Sequence, residues 1–328
     1  MDNEISQAKC LICNSSNSYK ILSWEEYSIC RCLTCKVIFT NPLPDSQFLK
    51  EYYQGFLFNI PKDSEIGKQI ENRKKELKNL FSFGEDNLRN KKFLDYGGGT
   101  GSVYRAMNEL GLETYYHDLD IEAREFVRQK HGLKDEFNVE NIQNTKLKFD
   151  YILSDNVIEH VKEPIKFVGD LRNVLTKEGT LIIKTPHARN SEAYFYPLIT
   201  VQSYLLRALR YNSFLKSLKS YFFRFWHCDP PRHLFGFSEM NLRLTAKMAG
   251  FKEDEIEILY YRLPLWKYSF TSMVFTFYDA KSYKAMFFRL LLIPIIPFEL
   301  ISKLIQFILC KINILTPGGI ILKATSSD

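Results

Sequence analysis

The run Phe93-Leu94-Asp95-Tyr96-Gly97-Gly98-Gly99-Thr100-Gly101 narrows the choice of folds more than any other stretch of this chain. An apolar run ends in an acid, and glycines then stand at alternate positions before a helical segment. Such a turn brings backbone close to a bound ligand where any side chain would collide. A dinucleotide fingerprint would place glycine at 97, 99 and 102, but Ser102 occupies the last position and the third glycine is Gly101. The turn therefore departs from the pyrophosphate-binding pattern, and a tight structural turn is the plain alternative. Around it, short apolar runs at 93–96, 114–117, 151–154 and 180–184 read as buried strands. Helical stretches at 103–110, 122–131 and 164–175 separate them. Strand and helix in alternation argue for an α/β fold with a parallel sheet covered on both faces. Two more strand candidates follow at 256–261 and 320–324.

Asp118, at the end of the second strand, is an independent signal. A carboxylate there accepts hydrogen bonds from both ribose hydroxyls of an adenosine-containing ligand. As a structural residue it would serve the start of the next helix, where the macrodipole favours an acid and Asp120 competes for either role.

The 328 residues are 45% hydrophobic and 25% charged, a globular balance. The net charge of +6 suits an anionic partner such as a phosphorylated lipid, a membrane surface or nucleic acid. There is no concentrated Lys/Arg stripe, hence no specific nucleic-acid signal. Met1-Asp2-Asn3-Glu4 is polar, with no apolar run behind it, so a cytoplasmic protein is expected. Five of the seven cysteines fall within the first 35 residues. Cys10-x2-Cys13 and Cys32-x2-Cys35 have the paired-knuckle spacing for tetrahedral zinc, with Cys30 spare. Four thiolates would close the site, making the zinc structural in a module too small for a core of its own. These features divide the chain into a zinc-ribbon-like module at 1–44, a helical linker or lid at 45–90 and an α/β domain at 91–328. The last carries an aromatic and basic insert at 190–235 and a hydrophobic helical hairpin at 264–312. Within the hairpin, 286–310 is apolar but interrupted by Arg289, Glu299 and Lys303 and broken by Pro294 and Pro297. It reads as a pair of helices lying at a bilayer interface or capping the acceptor cleft, or buried against the sheet or in a dimer.

Asp95 to Gly101, Asp118, and Phe149-Asp150-Tyr151-Ile152-Leu153-Ser154-Asp155-Asn156-Val157-Ile158-Glu159-His160-Val161 together resemble the motifs of class I S-adenosylmethionine-dependent methyltransferases. Lys177-Glu178-Gly179-Thr180 resembles that family's Lys-Pro-Gly-Gly turn. The resemblance implies a Rossmann-like, seven-stranded, mostly parallel sheet with helices on both faces, and S-adenosylmethionine as methyl donor. Gly97, Gly99 and Gly101 would line the amino-acid part of the cofactor and Asp118 would hold the ribose. Asp95 would organise the turn, Asn138 would lie beside the adenine, and Asp155 is counted with the cofactor residues.

Glu159-His160 resembles the pair found in ubiquinone-pathway O-methyltransferases, where an additional glutamate stands three positions earlier. Here that position is Asn156, a poorer ligand for a hard cation than a carboxylate. His160 would act as a general base, or simply anchor the end of the fourth strand. Asp229-Pro230-Pro231-Arg232-His233 resembles a segment after the fifth strand in related bacterial methyltransferases, followed by a helix, and the resemblance implies that His233 and His227 would face the acceptor. The alternative is a loop braced by its prolines. Similar zinc modules precede sugar C-methyltransferases, although the long C-terminal domain of those enzymes is not evident. The implied function is methyl transfer to a small-molecule, glycan or lipid-linked acceptor in cell-envelope or secondary metabolism, at the inner membrane face through 286–310. Two other classes stand beside it: a non-catalytic zinc-ribbon scaffold that binds nucleic acid or protein, and a nicotinamide-dependent oxidoreductase.

Overall fold

The computed structural model describes residues 5–6, 8–54, 62–83, 88–188, 227–261, 294, 296–312 and 314–327. In chain order the elements are β1 (Ile5–Ser6), β2 (Ser18–Trp24), β3 (Tyr27–Cys32), β4 (Ile38–Asn41), α1 (Ser46–Tyr52), α2 (Asp63–Phe81), β5 (Lys92–Tyr96), α3 (Ser102–Glu109), β6 (Glu113–His117), α4 (Ile121–His131), β7 (Phe149–Asp155), α5 (Pro164–Asn173), β8 (Leu175–Pro186), β9 (Phe235–Gly236), α6 (Glu239–Met248), β10 (Ile256–Tyr261), α7 (Ile296–Lys311) and β11 (Gly319–Thr325). Most of the insert at 190–235 and the first arm of the expected hairpin lie outside the described residues.

The central sheet has the order β10-β11-β8-β7-β5-β6. β6, β5, β7 and β8 run parallel, and β11 is antiparallel to both of its neighbours. Successive residues of each strand point to opposite faces, and both faces are apolar. Leu94, Ile152, Leu181, Ile183 and Leu322 pack on one side against Val168 and Leu171 of α5 and Leu242 and Ala246 of α6. Phe93, Leu153, Ile182 and Ile321 pack on the other against Leu77 and Phe81 of α2 and Ala106 and Met107 of α3. The chain order reverses direction between β5 and β7, so the carboxyl ends of β5, β6 and β7 open on one crevice, where open α/β sheets bind ligands.

One feature of the expected sheet is corrected. Six of seven strands are present among the described residues, and in place of the strand beyond β6 the chain makes a single bridge, Tyr116 to Asn138. The segment is unsuited to a ladder: Asp135–Phe137 forms a 3-10 turn, and Val139 and Ile142 are its only buried apolar residues before β7. Of the expected hydrophobic hairpin, α7 is described as a single helix, and no helix among the described residues is long and apolar enough to cross a membrane.

A second sheet, of order β1-β2-β3-β4-β9, is entirely antiparallel. Its first four strands come from the cysteine-rich region and its last from the chain beyond the insert. Phe39 faces Phe235 and Ile38 faces Gly236 across this junction. The N-terminal region is thereby hydrogen-bonded to the segment that follows His233.

The turn after β5 is held from several directions. Gly101 caps α3 with φ +70°, and a Cβ on it would lie 2.6 Å from Val127 Cγ2 of α4. Gly132, which caps the end of α4, has the same φ of +70° but open space around it. Gly101→Ala therefore combines left-handed strain with overpacking and is expected to cost about 2–5 kcal/mol. Gly132→Ala carries the strain alone, on the order of 1 kcal/mol. Denaturant unfolding of the two variants tests this, and equal losses would contradict the packing account.

Candidate active site

At the carboxyl end of β5, the Gly97 and Gly98 amides donate to the His117 carbonyl of β6 at 2.8 and 3.1 Å. The Gly99 amide donates to Asp118 Oδ2 at 2.9 Å, and Tyr116 Oη donates to the Gly99 carbonyl at 2.7 Å. The glycines differ in purpose. A Cβ on Gly97 would strike Val157 and one on Gly101 would strike Val127, whereas on Gly99, at φ +50°, it would meet nothing within 4 Å. Gly99 is thus the glycine whose Cα looks into open space.

Asp118 Oδ1 accepts from the Asp120 amide at 2.9 Å. Two acceptor positions of the carboxylate are spent on backbone, and two remain for a ligand. Burial raises the Asp118 pKa, against the two backbone amides that lower it. Asp95 is buried and accepts from the Tyr104 amide in the first turn of α3 at 3.0 Å. Burial pushes its pKa up to about 7. It organises the turn from beneath, packed so closely that a Cβ on Gly98 would lie 2.6 Å from Asp95 Oδ2. Asn138 stands next to β6 through its bridge to Tyr116, and its buried Oδ1 has no hydrogen-bond partner.

Asp155 ends β7 in an ion-pair network. Arg73 Nη1 of α2 lies 3.1 Å from its Oδ2, Lys184 Nζ of β8 lies 3.2 Å away, and Asn156 Nδ2 donates to its Oδ1 at 2.9 Å. Glu76 joins both cations. The carboxylate thus fastens α2 to the sheet at the crevice. Asn156 has φ +58°, a left-handed conformation that asparagine tolerates better than glutamate.

Glu159, His160 and His233 meet at the other side of the crevice, with one donor atom from each within 4.8 Å of the others. Glu159 is 1% exposed, and its Oε2 accepts from Thr185 Oγ1 at 2.9 Å. Burial raises its pKa to about 7. His160 Nδ1 lies 2.9 Å from the Arg232 carbonyl and 3.0 Å from Tyr53 Oη, which donates its own proton to the same carbonyl at 2.6 Å. Nδ1 therefore carries the proton and Nε2 keeps its lone pair. Burial, with a smaller effect of the neighbouring His233, lowers the His160 pKa to about 3, so this ring is neutral at ordinary pH.

His233 Nδ1 lies 2.6 Å from Asp229 Oδ1, and the two rings of His160 and His233 are 4.7 Å apart. Burial alone would raise the Asp229 pKa, but His233 and Arg232 outweigh it and hold the carboxyl far below the usual range. The loop is pinned by the Leu234 amide donating to the Glu159 carbonyl at 2.8 Å. His227 is not part of this group of donors.

The cysteine knuckles form a second cluster, with Cys10 Sγ 3.6 Å from Cys35 Sγ and Cys13 Sγ 3.5 Å from Cys32 Sγ. All four sulfurs lie within 4.8 Å of one another. Each knuckle uses the same turn: Cys10 N donates to Ser15 O and Asn14 N to Cys10 O, as Cys32 N does to Val37 O and Lys36 N to Cys32 O. Asn14 and Lys36 take matching positive φ values of 57° and 62°. The hydrogen bond from Cys35 draws the Cys10 thiol below its ordinary range. Tetrahedral sulfur at about 2.3 Å from a zinc ion would sit about 3.8 Å apart, so the four residues fit that ion.

Three participants escape a reading of the sequence alone. Tyr53 and Arg73 sit in a charged helical region with no motif around them. Asp229 is visible as the acid four residues before His233, a spacing that shows its worth only once the loop closes on itself.

A family model described as a methyltransferase domain matches residues 68–256. Two curated relatives are ubiquinone biosynthesis O-methyltransferases. That of Pelagibacter ubique (strain HTCC1062) is 30% identical over 127 residues, covering 37% of this chain and 52% of the relative. That of Haemophilus ducreyi (strain 35000HP / ATCC 700724) is 27% identical over 142 residues, covering 40% and 59%. The chain thus spans about half the length of the curated relatives it matches. Among solved structures, a SAM-dependent methyltransferase from Archaeoglobus fulgidus is 14% identical with a TM-score of 0.44, covering 86% of this chain and all (100%) of that one. Phosphoethanolamine N-methyltransferase 2 of Haemonchus contortus, in complex with S-adenosyl-L-methionine, is 17% identical with a TM-score of 0.45, covering 89% and 62%. The family model spans more than half of the chain and both the β5 turn and the Glu159-His160 pair: the protein belongs to the methyltransferase domain family.

Proposed function

We propose that this protein transfers a methyl group from S-adenosylmethionine to an oxygen of a small-molecule acceptor. The observation that carries the reading is the bond from the Gly99 amide to Asp118 Oδ2, which joins an open stretch of backbone to a carboxylate with spare acceptor capacity. In this reading the methionine portion lies over Gly97, Gly99 and Gly101, Asp118 receives the ribose hydroxyls, and Asn138 Oδ1 accepts from the adenine amino group. Asp95 and Asp155 act through the turn and α2, and Arg73 supplies the cation that a ligand carboxylate needs nearby. Bound S-adenosylmethionine supplies an activated methyl on a sulfonium.

The chain's own work is to hold the acceptor in line at near-attack distance and to take its proton. His233 is the better base: the Asp229 carboxylate lies 2.6 Å from Nδ1, on the side away from Nε2. His160, neutral and tied to Arg232 and Tyr53, orients the acceptor. The names of the curated relatives support an oxygen acceptor. A glycan or lipid-linked acceptor of cell-envelope or secondary metabolism is the finer proposal. Exposed Phe298, Ile301, Leu304, Ile305 and Ile308 on α7 support peripheral bilayer contact through 286–310 at the inner membrane face of a cytoplasmic enzyme. The proposed division keeps a structural zinc module at 1–44, a helical lid at 45–90 and the transferase over 91–328.

Calorimetry with S-adenosylmethionine tests the cofactor site. Asp118→Ala removes charged hydrogen bonds and is expected to weaken binding on the order of 100-fold. Gly99→Ala adds a methyl to open space, costing about 1–2 kcal/mol of stability through backbone strain while weakening binding at least about 10-fold. Wild-type affinity in both variants would contradict the assignment. For the cysteine cluster, cobalt-substituted protein is expected to absorb intensely through thiolate charge transfer, and Cys13→Ser to weaken that band. A spectrum without thiolate bands would rule out the four-sulfur site.

A further inference from the structure

We propose that Glu159, His160 and His233 bind one divalent first-row transition-metal ion of the zinc kind, separate from the four-cysteine cluster. One donor atom from each residue lies within 4.8 Å of the others. A tetrahedral shell with ligands at about 2.0–2.2 Å sets donors about 3.3–3.6 Å apart. The pair His160 Nε2 and Glu159 Oε1 stands at 3.9 Å, so a shift of a few tenths of an ångström closes that edge.

The cluster does not satisfy itself. Glu159 is 1% exposed and its Oε1 is buried without a hydrogen-bond partner. At 3.9 Å, His160 Nε2 is beyond hydrogen-bond reach. A buried carboxylate oxygen left in this way is costly unless something positive sits before it.

Each residue of the cluster has a polar group beside its outward-facing atom. Thr185 Oγ1 donates to Glu159 Oε2, the Arg232 carbonyl takes the Nδ1 proton of His160, and the Asp229 carboxylate stands 2.6 Å from Nδ1 of His233 in an ion-pair contact. Metal-ligating histidines characteristically spend their far nitrogen on a carbonyl or carboxylate, which fixes the tautomer and turns the lone pair inward. His160 meets that condition through the Arg232 carbonyl, and the Asp229 carboxylate stands beside the far nitrogen of His233. The bond from the Leu234 amide to the Glu159 carbonyl keeps the two ligand segments in register.

Two imidazoles and one carboxylate favour zinc or its first-row neighbours over magnesium or calcium, which require an oxygen-rich shell. Asn156 does not add to the set, because its side chain is turned to Asp155. Three protein ligands leave a fourth position open, as in catalytic rather than structural sites. An acceptor hydroxyl taken there would lose its proton to solvent through the ion, since His233 Nε2 is then a ligand and no longer a base. The role of the ion rests on the acceptor-site reading given above, but its binding does not.

The test uses the full chain with its cysteine cluster loaded with one zinc. Cobalt(II) is then titrated while weak d–d absorption is followed without thiolate charge transfer. We expect saturation at one further equivalent, and at least about 10-fold weaker binding in Glu159→Gln, His233→Ala and Asp229→Asn. Glu159→Gln is nearly isosteric, so it remains informative should His233→Ala fail to fold. Absence of a saturable second equivalent, or unchanged binding in Glu159→Gln, overturns the proposal. Calorimetry with S-adenosylmethionine on the same samples separates the two claims: cobalt binding without cofactor binding defeats methyl transfer and leaves the metal site standing.

Discussion

The pairing of β5 with β6 is the constraint from which the crevice follows. Parallel register puts Tyr96 beside His117, and the chain leaves both strands at the same level. The His117 carbonyl then takes the Gly97 and Gly98 amides, and Asp118 takes that of Gly99. The carboxylate is therefore aimed by the backbone it will share with a ligand. Asp95 below the turn and Val127 beside it leave no room for other side chains at Gly98 and Gly101. What is exposed to a ligand and what is filled by protein are decided residue by residue within one turn.

The cysteine-rich region is built into the same machinery. Its strand β4 starts three residues after Cys35 and pairs with β9, which starts two residues after His233. The Thr40 amide donates to the Leu234 carbonyl, whose own amide donates to Glu159. Tyr53, just beyond α1, reaches His160. The cysteine module, too small for a core of its own, thus braces the side of the crevice where the histidines meet, and its apolar residues share one core with the sheet.

The central strands were legible because strands buried on both faces appear as short apolar runs, and 256–261 matched β10 residue for residue. The glycine turn and Asp118 were legible as chemistry that a backbone must accommodate. β2, β3 and β4 were not, since their alternation is shared among cysteines, serines and charged residues, and only the metal-knuckle spacing stood out. β9 is two residues long and exists through a partner some 200 residues away, a separation no local pattern encodes. The family resemblance implies a strand beyond β6, but among the described residues that segment is too polar for a ladder and makes one bridge, Tyr116 to Asn138. Asp155 was read with the cofactor residues, whereas its carboxylate is engaged by Arg73 and Lys184, a network formed by elements distant in sequence.

The most direct test of the central claim is a crystal structure of the protein with S-adenosylhomocysteine. The account predicts both ribose hydroxyls on Asp118, the amino-acid portion over Gly99, and the adenine edge at Asn138 Oδ1, with the sulfur directed toward Glu159, His160 and His233. A ligand bound elsewhere, or bound in the crevice without Asp118, would contradict it.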